Sequence, residues 1–176
     1  MSSTPSLLEH LLLQLEEYHP SSIIFLSSDN PCSTIQQWAD KNNCSITRLH
    51  HQQTFSKEIG RHEFAIVFDY LNHLDKNIAL QRLGQLRNLY SHRIWVADSH
   101  SECQFNDFIG LGFQRQMQFK ALANEVGNCL TEKPVKPLKD NQVTCYGYDL
   151  ANYNHKRSWN NSKYWANPEN WNKYRW

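Results

Sequence analysis

Nowhere does the chain of 176 residues hold an apolar run that could cross a membrane, which takes about 18 consecutive residues. Its start has no basic segment followed by an apolar stretch and a small-residue cleavage site, so a cytoplasmic protein is expected. The five cysteines (Cys32, Cys44, Cys103, Cys129, Cys145) are odd in number, widely spaced and without a C-x-x-C pair. That pattern excludes a zinc cluster and a disulfide framework, and leaves free thiols in a reducing compartment. The Asn-x-Ser triplets at Asn43 and Asn160 then carry no meaning, because glycosylation requires secretion. Glycine is scarce, at six residues. Without G-x-S-x-G there is no nucleophile elbow, and Ser27-Ser28 lacks the flanking glycines. Without G-x-x-x-x-G-K-[ST] there is no P-loop.

What is present is unevenly spread. From Tyr153 onward, Lys156, Arg157, Lys163, Lys173 and Arg175 stand against Glu169 alone, a balance of +4. The whole chain is +1, so residues 1–152 carry −3. The last nineteen residues hold four tryptophans, two tyrosines and five asparagines. A mildly acidic body therefore wears a basic, aromatic tail. The expected division is an α/β domain over 1–152 and a tail over 153–176 packed on it.

Hydrophobic periodicity lays out the body. Leu8, Leu11, Leu12 and Leu15 recur at helical spacing behind a Ser6/Glu9 capping box, and His19-Pro20 stops the helix. Ser22–Ser27 is an unbroken apolar run, as a strand covered on both faces requires. Asn30-Pro31 reads as the start of a helix carrying Ile35, Trp38 and Ala39 on one face. Further strands are expected at Ser45–His50, Glu63–Asp69 and Arg93–Asp98. A long helix from an Asp75 cap to Tyr90 and a short one over Phe105–Leu111 alternate with them. Gly112–Ala121 and Gln142–Tyr148 then follow as a strand pair with no helix between. This order predicts a three-layer Rossmann-like α/β sandwich of about six mostly parallel strands with a C-terminal antiparallel member.

The order of elements resembles the class I methyltransferase fold, which binds S-adenosylmethionine. The segment Phe64-Ala-Ile-Val-Phe-Asp-Tyr-Leu-Asn-His-Leu74 is similar to the family's fourth strand, and Gly110-Leu-Gly-Phe113 resembles the approach to its closing hairpin. The tail is similar to that of a small group of bacterial proteins without a known activity, which end in a like Trp-Ala-Asn-Pro-Glu phrase. Two departures oppose the family's chemistry. Where the family has a glycine-rich turn, this chain has Leu26-Ser-Ser-Asp-Asn-Pro-Cys-Ser33. Where it has an acidic residue for the ribose hydroxyls, His50 and His51 stand. The stretch from His50 to Phe64 is also too short for the usual helix, strand and helix, so one edge strand is expected to be absent. The resemblance thus implies a degenerate methyltransferase-like domain with a binding or scaffold role and no cofactor, an active S-adenosylmethionine-dependent methyltransferase being the alternative.

Ligands of open α/β sheets bind beyond the carboxyl ends of the strands. The residues there are Asp29, His50 and His51, Asp69 with His73, and Asp98 with His100. Ser27, Ser28, Asp29, His50, Asp69, Tyr70 and His73 are the candidates for a vestigial cofactor pocket. Carboxylates beside imidazoles also suit acid–base or metal chemistry, but no H-x-x-x-H or H-E-x-x-H spacing supports it. Loop ends collect such residues as turn caps in any case. Cys32, near a helix start, is placed for a lowered thiol pKa; a partly buried spacer is the simpler reading.

The tail has three readings: a clasp over the body, a stacking surface for single-stranded nucleic acid, and a contact for a protein partner or a second copy. Each buried Trp or Tyr covers about 150–250 Å². Six left in water exceed the few hundred Å² of apolar patch a soluble monomer tolerates. The clasp is the expectation, with Trp159, Trp165 and Trp171 buried on the sheet's flank or across the strand ends.

Overall fold

The computed structural model describes residues 6–99, 101–120 and 142–153. Helix α1 (Leu7–Tyr18) starts at the Ser6/Glu9 capping box, with both reciprocal hydrogen bonds formed at 3.2 and 2.7 Å. It leads into β1 (Ser22–Leu26), α2 (Ser33–Lys41) and β2 (Ser45–Leu49). Strand β3 (His62–Phe68), helix α3 (Lys76–Gln85), strand β4 (Ser91–Asp98) and helix α4 (Phe105–Gly110) follow. Strands β5 (Gln114–Lys120) and β6 (Gln142–Asp149) and a short α5 (Leu150–Tyr153) close the described chain.

The six strands form one sheet in the order β2-β1-β3-β4-β6-β5. The β1–β2, β1–β3 and β3–β4 pairs are parallel, and β6 runs antiparallel to both β4 and β5. The continuous apolar runs are explained by helices on both faces. Ile23, Phe25, Phe64, Ile66, Phe68, Trp95 and Ala97 point into a core shared with α1 and α2. Their alternating neighbours Ile24, Leu26, Ala65, Val67, Ile94 and Val96 point into a second core with α3 and α4. The period-2 side-chain alternation of a strand divides each run between the two cores. This is a Rossmann-like α/β fold.

Only twelve residues, His50 to Arg61, carry the chain from β2 over β1 to β3. They include one 3₁₀ turn, Lys57–Ile59, and no α-helix. Phe55 and Ile59 cover the second core here in place of a helix. The Phe55 ring stacks on Tyr90 at 4.6 Å, with the Arg82 guanidinium 5.5 Å from its centre. Among the described residues the sheet ends at β2, as the short connection predicts.

Two local expectations are corrected. Helix α2 is capped by Cys32, not by Asn30. The Asn30 side chain instead accepts from Arg48 Nη1 at 2.9 Å, a contact across 18 residues that capping rules do not see. The expected helix from Asp75 to Tyr90 leaves α geometry at Gln85 and finishes in a π turn over Leu86–Tyr90. Asp75 stands at the cap position without a side-chain bond; the Lys76 N–H donates to Glu102 at 3.3 Å.

At the amino ends of the strands, Arg93 ties three elements together. Its Nε donates to Asp149 at 2.9 Å, and its guanidinium lies 4.1 Å from the Tyr18 ring centre. Helix α5 then turns Tyr153 onto Gly112. That glycine has φ +84°, and a Cβ there would meet the Tyr153 ring at 2.8 Å.

Candidate functional site

Strand order reverses between β1 and β3, since β2 lies to one side of β1 and β3 to the other. In open α/β sheets the crevice outside the carboxyl ends at such a switch point is the ligand site. Here that crevice is bridged. Ser28, just past β1, donates its hydroxyl to Asp69 Oδ2, just past β3, at 2.5 Å. His73 Nε2 meets the same Oδ2 at 3.1 Å, and Asn72 donates to Oδ1 at 2.9 Å and to Ser99 Oγ at 3.0 Å. Asp69 itself has φ +56°, a left-handed conformation that aspartate tolerates better than most residues.

A row of imidazoles covers this bridge. The His51 ring stacks on His73 at 4.5 Å with 19° between planes, and His50 lies 4.0 Å from His51. The residues past β2 thus reach over the end of β1 to those past β3. His51 Nδ1 is buried and meets no hydrogen-bonding group. Burial, and next the neighbouring His50 and His73, lower the His51 pKa against the opposing pull of Asp69.

The structure gathers five of the predicted rim residues, Ser28, His50, His51, Asp69 and His73, into one contact set. Ser27 is buried beneath it, accepting from the Asp29 N–H at 3.3 Å. Asp29 lines a small cavity together with Ser28, Asn30, Arg48, His50 and Gln53. Asp98 caps a turn by accepting the Ser101 N–H at 3.2 Å. Tyr70 does not join the rim: it is fully buried in the second core. Phe68 belongs to the first core, and the left-handed turn at Asp69 sends Tyr70 to the opposite one. His100 lies outside the described residues. Asn72 and Ser99 complete the network, and the strand-end rule does not point to either. Asn72 sits inside the segment that carries the family resemblance, and its spacing of three from Asp69 was the available signal.

This geometry limits the chemistry. A serine–histidine–aspartate relay needs the imidazole between hydroxyl and carboxylate, so that a base contacts the nucleophile. Here the carboxylate sits between them, and Asp69 holds the serine proton rather than freeing it. The near-parallel His51 and His73 rings keep their lone pairs in separate planes, and His73 Nε2 is engaged by Asp69. Among the described residues no group of three His, Cys, Asp or Glu side chains is placed to hold a metal ion. Burial, with Glu63 adding to it, pushes the Cys44 thiol up to about 11, and burial also raises Cys103 and Cys145.

The resemblance to methyltransferases implies S-adenosylmethionine, held by bare backbone after β1 and a carboxylate after β2. The chain offers Ser27, Ser28 and Asp29 at the first place and His50 at the second. The cavity between them measures about 260 Å³, below the roughly 300–1,000 Å³ of ordinary ligand pockets.

A Rossmann-like α/β domain whose switch point is bridged by its own side chains is what fold and rim together define. The chain belongs to the family of unknown function DUF6231, which matches residues 3–176. A search of curated proteins finds no match. Two solved structures with similarity are the methyltransferase domains of bacterial CtHen1-C and CtHen1-CN, each 10% identical with a TM-score of 0.46. Each alignment covers 81% of this chain, and 96% and 97% of the respective domains.

The buried imidazoles set an acid limit on stability. Burial lowers the pKa of His10 and His62, as it does His51, with a hydrogen bond to Gly60 opposing it at His62. The folded state then binds fewer protons than the unfolded chain, whose histidines titrate near ~6.5. Stability is therefore fully present above that pH and lost as pH falls below it. Thermal unfolding between pH 7.5 and 5 is expected to show a falling midpoint below about 6.5. In His10→Asn, which keeps an acceptor for Trp95 but cannot titrate, the fall should be shallower. A midpoint independent of pH across that window would contradict this.

Proposed function

We propose that this protein is a methyltransferase-like domain that has lost its cofactor site and serves as a non-catalytic binding or scaffold protein. The observation that carries the reading is the Ser28–Asp69 hydrogen bond across the switch point, beneath the imidazole row. A methyl donor would have to break that bond, displace His73 from Asp69 and part the stacked rings before reaching the strand ends. A cytoplasmic setting and kinship with bacterial proteins sharing the Trp-Ala-Asn-Pro-Glu ending are part of the same proposal. Four described cysteines, all buried and unpaired, support the first. No described helix is long and apolar enough to cross a membrane.

Calorimetric titration of the full chain with S-adenosylmethionine tests the reading. The expected result is no saturable heat at micromolar concentrations. Saturable binding with a stoichiometry near one would restore the domain to the working methyltransferases.

A further inference from the structure

A large void lies at the opposite end of the sheet from the rim. It is a groove of about 690 Å³ at the amino ends of the strands, whose lining includes Tyr18, Glu63, Phe64, His92, Arg93 and Asp149. Its volume falls within the range of roughly 300–1,000 Å³ for occupied pockets. From the geometry we infer that this groove is the dock of the chain's own tail, residues 154–176, with tail indole rings seated against Tyr18 and Phe64.

Topology selects the occupant. Helix α1 runs down toward the start of β1, so its first residue, Leu7, stands at the carboxyl-end side of the sheet, away from the groove. The end of β5 and the start of β6, which flank residues 121–141, also stand at the rim, because β6 is the reversed strand. Only the tail departs from the amino end. It leaves helix α5, whose Leu150 and Ala151 form one wall of the groove. Tyr153 fixes that departure point by packing on Gly112 and lying 5.8 Å from both the Tyr148 ring centre and the Arg87 guanidinium.

Chemistry agrees with topology. Buried Phe64 and half-buried Tyr18 offer aromatic surface, and Arg93 over Tyr18 adds a cation against which an indole can stack. Glu63 and Asp149 outnumber Arg93 as formal charges in the groove, while the tail from Tyr153 carries +4. Opposite charge orients the tail, and burial of its aromatic rings supplies the affinity. The sequence alone admitted a tail lying across the carboxyl-end rim. The docked tail instead lies at the far end of the sheet, where the space is.

Photo-cross-linking in the full chain tests this. Replacing exposed His92 by p-benzoylphenylalanine should give, on irradiation, an intramolecular cross-link mapped by mass spectrometry to residues 154–176. The same probe at Gln53, beside the rim, should not reach the tail. Adding Ala151→Trp, which fills the groove with an indole from its own wall, should abolish the His92 cross-link while the protein still unfolds cooperatively. Probing from Ala151 instead of His92 guards against a variant that fails to fold. Cross-links to the tail of a second copy, to residues 121–141, or from Gln53 to the tail would each overturn the inference, as would survival of the His92 cross-link in Ala151→Trp.

Discussion

Replacing Trp95 by alanine is expected to cost about 3–5 kcal/mol, the usual range for emptying a large aromatic site in a core. Trp95 is 1% exposed at the middle of β4, paired in register with Ile66 on one side and Gly147 on the other. Its indole fills the first core, and its Nε1 donates to buried His10 Nδ1 at 3.2 Å. The alanine variant loses the packing and strands the His10 acceptor together. Since a domain is stable by only ~5–15 kcal/mol, much of the protein's stability goes with it. Urea unfolding of wild type, Trp95→Phe and Trp95→Ala separates the parts. Phenylalanine keeps most of the volume and loses the hydrogen bond, so it should cost about 1–2 kcal/mol. A loss under about 1 kcal/mol in Trp95→Ala would mean that the core is not organised around this ring.

The second large effect is expected at the rim. Asp69→Ala removes the acceptor shared by Ser28, Asn72 and His73 and leaves a Cβ residue without that support at φ +56°. A hydrogen bond to a charged group contributes roughly 1.5–3 kcal/mol. The left-handed conformation costs a residue such as alanine about 1–2 kcal/mol. A loss of about 2–4 kcal/mol follows, allowing for partial relaxation into solvent. Asp69→Asn retains both an acceptor and the tolerance for positive φ, and should lose about 1 kcal/mol. Denaturant midpoints of the two variants check the order, and hydrogen exchange at residues 50–52 and 70–74 checks the place. Equal stability of wild type and both variants would show that Asp69 does not hold the strand ends together.

Much of this fold was legible in the residues because the deciding forces act locally. The runs Ile23–Leu26, Phe64–Phe68 and Ile94–Ala97 could only be strands covered on both faces, and the capping box at Ser6 fixed where α1 begins. The shortness of the His50–Arg61 connection by itself leaves no room for an outer strand. What escaped depended on partners distant in sequence. Asn30-Pro31 announced a helix start, but Arg48 engages the Asn30 side chain and the cap moves to Cys32. Adjacency to Asp69 suggests the rim for Tyr70, but a single left-handed residue sends it into the opposite core. The strand-end rule found Ser28, Asp69 and His73 but not their mutual bonding, which spans 41 residues between Ser28 and Asp69. Nothing in the spacing of His50, His51 and His73 told that they would stack. The aromatic tail lies outside the described residues, so the expected burial of Trp159, Trp165 and Trp171 rests on the groove and on energetics.

The central claim is that side chains, not a cofactor, occupy the switch point. It is tested most directly by a crystal structure of the full chain grown with millimolar S-adenosylmethionine. The expected result is Ser28 still bonded to Asp69, His51 stacked on His73, and no adenosine beyond β1. An ordered cofactor lying against Ser27–Asp29, with Ser28 turned away from Asp69, would contradict it.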